Sequence, residues 1–408
     1  MVYQRLYEFD VTMLLNIESF TVFFTTSSRG IKMNVIDLFA GAGGLGIGAT
    51  LAGGQVCLSV ELDQHACETL TKNQEQHPAG VVLQSDVSQI SGDELRVRAQ
   101  LHKNDPLLVI GGAPCQPFSK AAYWTDSGDD ARYRRSRSRG EVAAKPDPVF
   151  TAKDDDRRDL VYEFTRLVFE TDADGFIFEN VPSILHPRNK HIVPSIIDAA
   201  QNAGYFCTFF KLNSFDFGVA QKRERVFIVG SKAATVKVPQ PTHGFSKPGE
   251  EKLLSPHVTA GEALAGLEAD TYFEPEEIVK GRYSEHLREV PPGWNYKALT
   301  AWAGHPSPSF EAETRFWNFL LKLTPEKPSW TIAATPGPWT GPFHWDSRRL
   351  RTSEMAALQS FPRGYHFTGS RRERVRQIGN AVPPLLAKAV VDTLKESFCS
   401  NEAYSAVA

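Results

Sequence analysis

The stretch "NVIDLFAGAGGLGIGATLAGGQVCLSVELD", residues 34–63, decides the fold. Its first piece, "NVIDLF" (34–39), is a short apolar run ended by glycines and reads as a buried strand. The Gly-rich "AGAGGLGIGATLAGG" turns the chain into a helix. "QVCLSVELD" (55–63) is a second strand ending in acids. Strand, glycine turn, helix and strand make one β–α–β unit, and such units build a parallel sheet.

The rhythm continues outward. "HACETLTKNQ" reads as a helix, "GVVLQSDV" (80–87) as a third strand and "PLLVIGGAPC" (106–115) as a fourth. "DLVYEFTRLVFET" (159–171) has helical spacing, and "GFIFENV" (175–181) is a fifth strand. A helix over 193–203 precedes "YFCTFFKLN" and "RVFIVGS". Strands alternating with helices predict an α/β fold with a doubly wound sheet, whose ligands bind at the carboxyl ends of the strands. Late in the chain, "RTSEMAALQSF" is a helix and "QIGNAVPPLLAKAVVDTLKESF" opens another.

Two segments break the rhythm. Residues 120–157 are charged and poor in apolar residues, with five arginines in "ARYRRSRSRGE". Such a stretch is ordinarily a solvated loop, but one directly after a strand-end cysteine suits a mobile lid. Residues 231–325 are rich in Pro, His and Trp and lose the alternation, which predicts a separate, smaller domain. Residues 1–32 read as an extension of uncertain order ahead of the first convincing strand, and 399–408 as a tail.

Composition sets the frame. Of 408 residues, 41% are hydrophobic and 23% charged, as in a soluble globular protein. A net charge of −3 announces no nucleic-acid binder, yet only the local field at a binding face matters. Five cysteines without a CxxC pair imply reduced thiols in a cytoplasmic protein, with neither a disulfide framework nor a metal site. No apolar run is long enough for a membrane span, and the N-terminus lacks the pattern of a signal peptide.

The glycines of "DLFAGAGGLG" let a ligand approach the backbone and expose helix N-terminal amides. Glu61 ends the second strand about 20 residues further on, where a carboxylate accepts both hydroxyls of a ribose. Asp86, at the third strand's end, is placed to meet an adenine amino group. These features suit NAD as well as other adenosine cofactors.

"DLFAGAGGLG", "GGAPCQPFS", "FENV", "QKRERVFIVG" and "QIGNAVPP" occur in this order. Together they resemble the C5-cytosine DNA methyltransferases of bacterial restriction-modification or phage defence, over roughly residues 34–230 and 320–390. The resemblance implies a Rossmann-like methyltransferase sheet over 33–230 and a single target-recognition domain over 231–325. Residues 326–398 return to the catalytic domain, and 115–157 form the catalytic loop. It also implies methyl transfer from S-adenosyl-L-methionine to C5 of a flipped-out cytosine in a specific duplex sequence, with S-adenosyl-L-homocysteine as product. The cofactor residues carried over are Phe39, Gly41, Gly43, Gly44, Leu45, Glu61, Leu62, Asp86, Val87, Pro114, Asn380 and Val382. Double-stranded DNA is the implied partner of a monomeric, cytoplasmic enzyme, beside a cognate restriction or defence nuclease acting on the same sequence.

The chemistry explains the residue types. Carbon 5 of cytosine is a poor nucleophile until a thiolate adds at carbon 6. Cysteine suits the task because part of it is thiolate near neutrality, and Cys115 lies at a strand end. Cys57, Cys67 and Cys207 read as small buried hydrophobes. By family analogy Glu179 of "FENV" donates to N3, which requires a pKa raised by burial. Asn180 would brace the loop backbone. Arg223 and Arg225 alternate on one strand, with Arg225 assigned to the cytosine O2 and Arg223 to a supporting role. Lys222 and Glu224 would face the other way.

Flipping demands contacts to DNA, for which Gln116, Ser119, Arg132, Arg134 and Arg135 are the candidates. Trp294, Trp302, Trp317, Arg282 and Arg288 are candidates for base reading or for filling the gap left by the flipped base, although at least two of these tryptophans are expected in the core. Arg348, Arg349 and Arg351 suit the wall of a DNA cleft, and "RRERVR" (371–376) a solvated helix face. Rival readings are an RNA (cytosine-5)-methyltransferase, whose usual Cys-Phe-Thr tripeptide is missing here, a catalytically silent DNA-binding regulator, and an NAD oxidoreductase.

Overall fold

The computed structural model describes residues 33–114, 118, 132–133, 136, 141–142, 144, 158–245, 254–267 and 274–399. Seven strands form one sheet: β1 (Asn34–Leu38), β2 (Gln55–Glu61), β3 (Val81–Gln84), β4 (Leu107–Gly111), β5 (Gly175–Asn180), β6 (Phe206–Asn213) and β7 (Glu224–Ser231). Their order is β3-β2-β1-β4-β5-β7-β6. β1 to β5 pair in parallel, and β7 runs antiparallel between β5 and β6. β1, β4 and β5 are buried along their whole length, which explains their unbroken apolar reading.

Side-chain alternation divides the core between the two faces of the sheet. Ile36, Leu38, Val109, Phe176 and Phe178 pack beneath α3 (Gly92–Arg98), α4 (Leu160–Glu170) and α5 (Ile192–Asn202), which follow α1 (Gly44–Leu51) and α2 (Gln64–Lys72) in the chain. Val35, Leu108, Ile110, Ile177 and Val229 face the opposite way, toward Leu45 and Ala49 of α1 and the C-terminal helix. The remaining helices are α6 (Ala260–Leu264), α7 (Ser284–Glu289), α8 (Thr352–Leu358), α9 (Arg371–Asn380) and α10 (Pro384–Cys399).

Two glycines of α1 serve this packing. A Cβ on Gly44 would lie 2.2 Å from the Val382 carbonyl oxygen. One on Gly48 would lie 2.4 Å from Ala387 Cβ. The glycines of α1 therefore admit the chain's own C-terminal segment.

The sequence reads one late helix through "QIGNAVPP", whereas the structure has two. α9 ends at Asn380, and the Pro383-Pro384 pair, which lacks amide donors, restarts the chain as α10. The sequence reading missed α3, whose N-cap is Ser91, its hydroxyl accepting from the Glu94 amide.

Beyond β7 the described residues form no further strand of the sheet. Val279, Leu287, Tyr296, Leu299, Phe319 and Phe343 make a small core of their own. A further cluster joins Ala260, Leu264, Leu323 and Ile332 to Met355, Leu358 and Ile378. Three fully buried glutamates hold these parts together. Glu274 pairs with Arg371 and Arg374, Glu277 with Arg351, and Glu354 with Arg348 through both oxygens. Arg348 and Arg351 are therefore tied into internal ion pairs rather than presented to a cleft. The helix read from "RRERVR" is present, and Arg372 is exposed as expected, but Arg371, Arg374 and Arg376 are engaged by carboxylates rather than simply solvated. Among the described residues, no helix is long and apolar enough to cross a membrane.

Candidate active site

The carboxyl ends of β1 to β5 open onto a cavity of about 640 Å³. Its floor is the turn after β1. Phe39, Gly41 and Gly43 all have positive φ there, at 56°, 54° and 80°, which curls the chain back before α1 begins. Glu61, at the end of β2, ties this turn down. Its Oε2 accepts from the Gly41 amide at 2.7 Å, and its Oε1 from the Leu62 and Asp63 amides. One carboxylate thus joins two strand-end loops at the cavity wall. Asp86 lies two residues past β3 and caps the turn that follows, accepting from the Ser88 amide and hydroxyl.

The sequence-predicted residues Phe39, Gly41, Gly44, Leu45, Glu61, Leu62, Asp86, Val87, Pro114, Asn380 and Val382 all line this cavity. Gly43 stands outside the lining, against the Leu70 side chain and the Tyr365 hydroxyl. Sequence reasoning missed Asp63, Leu160, Arg376 and Gln377, which line it as well. Asp63 caps α2 through the Ala66 amide and pairs with Arg376 at 2.6 Å, so α9 is fastened to the cavity rim. An aspartate just before a helical run is an N-cap signal that would have found Asp63.

Beneath the floor lies Asp37, fully buried, its Oδ2 accepting from the Gly46 amide at 3.1 Å. Burial pushes its carboxyl up to about 8; the Gly46 bond opposes the rise and the Glu61 charge adds to it. The position is invisible to sequence reasoning, because an aspartate within "NVIDLF" looks like any polar strand residue.

At the other end of the same cavity stand Glu179 and Arg225. Glu179 is buried near the end of β5, and Arg225 Nε lies 2.7 Å from its Oε1. Burial pushes the Glu179 carboxyl upward, against the nearby Arg225 and Arg223 guanidiniums. That is the direction a proton donor needs near neutrality. A Cβ on Gly112 would lie 2.8 Å from Glu179 Oε2, so glycine there leaves room for the carboxyl.

Asn180 braces the neighbouring backbone. Its amide donates to the Ala113 carbonyl, and its own oxygen accepts from the Val181 amide. Arg223 is wholly buried just before β7, donating to the carbonyls of Ile332, Gly379 and Asn380. It therefore holds the end of α9 against the sheet while Arg225 faces the cavity. Glu224 points outward to Lys211.

Cys115, Gln116, Ser119, Arg134 and Arg135 lie outside the described residues, as do most of 120–157 and all of 1–32. Arg132 is described and exposed. Pro114, covalently before Cys115, lines the cavity. Of the other cysteines, Cys67 is buried, Cys57 and Cys207 are only half-buried, and Cys399 is exposed. Burial pushes the Cys67 and Cys207 thiols up to about 12, away from the thiolate form that a nucleophile needs.

The tryptophans depart from expectation. None of Trp294, Trp302 and Trp317 is in the core, their exposures being 48%, 71% and 54%. The small core is filled instead by Tyr296, Phe319 and Phe343. Arg282 lies over the Tyr283 ring, and Arg288 pairs with Glu285.

A family model described as C-5 cytosine-specific DNA methylase matches residues 33–134 and 150–396. The type II methyltransferase M.SacI of Streptomyces achromogenes is 35% identical over 394 residues, covering 90% of this chain and 93% of its own. The type II methyltransferase M.NgoFVII of Neisseria gonorrhoeae is 29% identical, covering 91% and 90%. A solved DNA modification methyltransferase encoded within an E. coli prophage superimposes with a TM-score of 0.59 at 25% identity, over 90% of this chain and 100% of that one.

Proposed function

The chain belongs to the C-5 cytosine-specific DNA methylases, and from that premise we propose that Cys115, Glu179 and Arg225 carry the methyl transfer, with Arg223 positioning them. The single observation behind this reading is the buried Glu179–Arg225 pair opening into the cavity that Glu61 and Asp86 also line. The family acts on DNA and uses S-adenosylmethionine. The cavity suits that group, since its size is that of a drug-like ligand site and a strand-end carboxylate stands beside an apolar wall of Leu62 and Val382.

Glu61 would hold the ribose hydroxyls and Asp86 the adenine amino group, with Phe39, Gly41, Pro114, Asn380 and Val382 enclosing the remainder. When bound, the cofactor supplies an electrophilic methyl. The Cys115 thiolate adds to carbon 6 of cytosine while Glu179 donates a proton toward N3. Arg225 steadies the charge at O2 and keeps Glu179 in place. Carbon 5, now nucleophilic, forms its bond to that methyl as the methyl's bond to sulfur breaks; N3 then returns its proton to Glu179, and removal of the carbon 5 proton by solvent expels the thiolate and restores the ring.

Residues 231–325 are the target-recognition domain in this reading. The 115–157 segment closes over the DNA, with Ser119, Arg132, Arg134 and Arg135 on its phosphates and Gln116 also in contact with the DNA. Relatives named type II methyltransferases support a role in marking self DNA against a nuclease of the same specificity. The enzyme then works as a cytoplasmic monomer. The test is to sequence DNA from cells expressing the protein for 5-methylcytosine. One modified sequence is expected, lost with Cys115→Ala. Unmodified DNA from cells expressing the wild-type chain would overturn the reading.

A further inference from the structure

We propose that Trp317, Trp330 and Lys222 form a ledge beside the cavity on which DNA bases flanking the target stack. The inference rests on the DNA methylase reading and adds a surface to it. Trp317 and Trp330 meet edge to face, with ring centroids 5.6 Å apart. Both are substantially exposed, Trp330 at 37%. Large aromatic side chains left open together mark an interaction surface.

Charge names the occupant. The Lys222 ammonium lies 5.3 Å from the Trp330 ring centroid and 5.8 Å from that of Phe215. Among the described residues it has no carboxylate partner. A cation held over open aromatic faces suits a polyanion whose bases stack, which is the chemistry of a nucleic acid with unstacked bases. Extruding a cytosine leaves the neighbouring bases without a stacking partner, and a tryptophan face restores one.

Position ties the ledge to the reaction. The Lys222 amide donates to the Ser329 carbonyl at 2.8 Å, and the Thr331 hydroxyl donates to the Lys222 carbonyl at 2.6 Å. Trp330 is therefore fixed to the segment that enters β7. Arg225, facing the cavity, follows Lys222 by three residues, about 10 Å of extended chain. From the other side, the Asn295 amide donates to the Trp317 carbonyl at 2.7 Å.

The test uses the full chain, labelled S-adenosylmethionine and sheared, unmethylated bacterial DNA, which contains the target whatever its sequence. Trp317→Ala and Trp330→Ala should each raise KM for DNA about tenfold with a much smaller change in kcat. Trp330→Phe, which keeps a ring, should lose less. Lys222→Gln should lower the slope of log K against log salt by about 0.9, one phosphate contact. DNA should quench tryptophan emission, and that quench should shrink when both tryptophans are phenylalanine. An unchanged KM in both alanine variants, or an undiminished quench in the phenylalanine pair, would overturn the ledge. So would a concentration-dependent dimer that the alanine changes dissolve, which would make the surface a protein interface. A wild-type chain that methylates no duplex DNA would instead overturn the underlying reading, while the emission measurement still judges the ledge.

Discussion

Glu179 and Asp37 are two buried carboxyls with opposite duties. Glu179 faces a guanidinium 2.7 Å away in the cavity, whereas Asp37 faces a backbone amide beneath the floor. Replacing Glu179 with Gln keeps the shape and removes the acid. Methyl transfer should fall by a factor of roughly 10² to 10⁴, the usual worth of a positioned proton donor, while cofactor binding measured by calorimetry stays close to wild type. Asp37 carries a stability prediction. Its folded pKa of about 8 lies above the ordinary 3.8, so the folded chain binds the proton more tightly than the unfolded one. Its contribution is therefore fully present below pH 4 and is lost as pH rises toward 8. Asp37→Asn, which can still accept from the Gly46 amide, should lessen the decline in melting temperature between pH 5 and pH 8. An unaltered profile would show that Asp37 ionises normally.

Among the elements, α1 carries the sharpest test. Gly48→Ala gains about 1 kcal/mol in helix propensity. The new methyl would meet Ala387 Cβ at 2.4 Å and the Pro384 carbonyl oxygen at 2.7 Å. Overpacking of this kind costs about 1–3 kcal/mol, and backbone cannot step aside as a side-chain tip can. A lower melting temperature is expected, although the same change stabilises an isolated helix. Elements also show what sequence makes legible. β1, β4 and β5 were plain because strands covered on both faces must be apolar throughout. The α9–α10 break was not, since helical spacing runs on through "QIGNAVPP" and only the paired prolines mark the interruption. The exposed tryptophans were misread for a related reason. Composition records an apolar residue, while burial depends on which neighbours fill the small core first.

For the whole molecule, cohesion depends on ion pairs as well as packing. Glu354 is buried, yet the Arg348 guanidinium and the Arg351 amide hold its carboxyl below the usual range against the effect of burial. Arg348→Met should cost about 3–5 kcal/mol, because a buried charge loses its partner, and denaturant titration would read it. The double change Arg348→Met with Glu354→Leu should recover most of that loss. If the double variant is as unstable as the single, the pair acts through something other than charge. These pairings were not legible in the sequence, since Glu274 and Arg371 lie far apart in the chain and only the fold joins them. The cavity has the same long-range character, with Gly44 pressed against the Val382 carbonyl. Protein synthesis is vectorial, so the floor of the pocket leaves the ribosome long before the segment that closes it. A nascent chain arrested before residue 382 holds the glycine turn, the acids and the strand ends without a finished wall. Competence for methylation therefore arises late in translation, and early termination releases no active fragment.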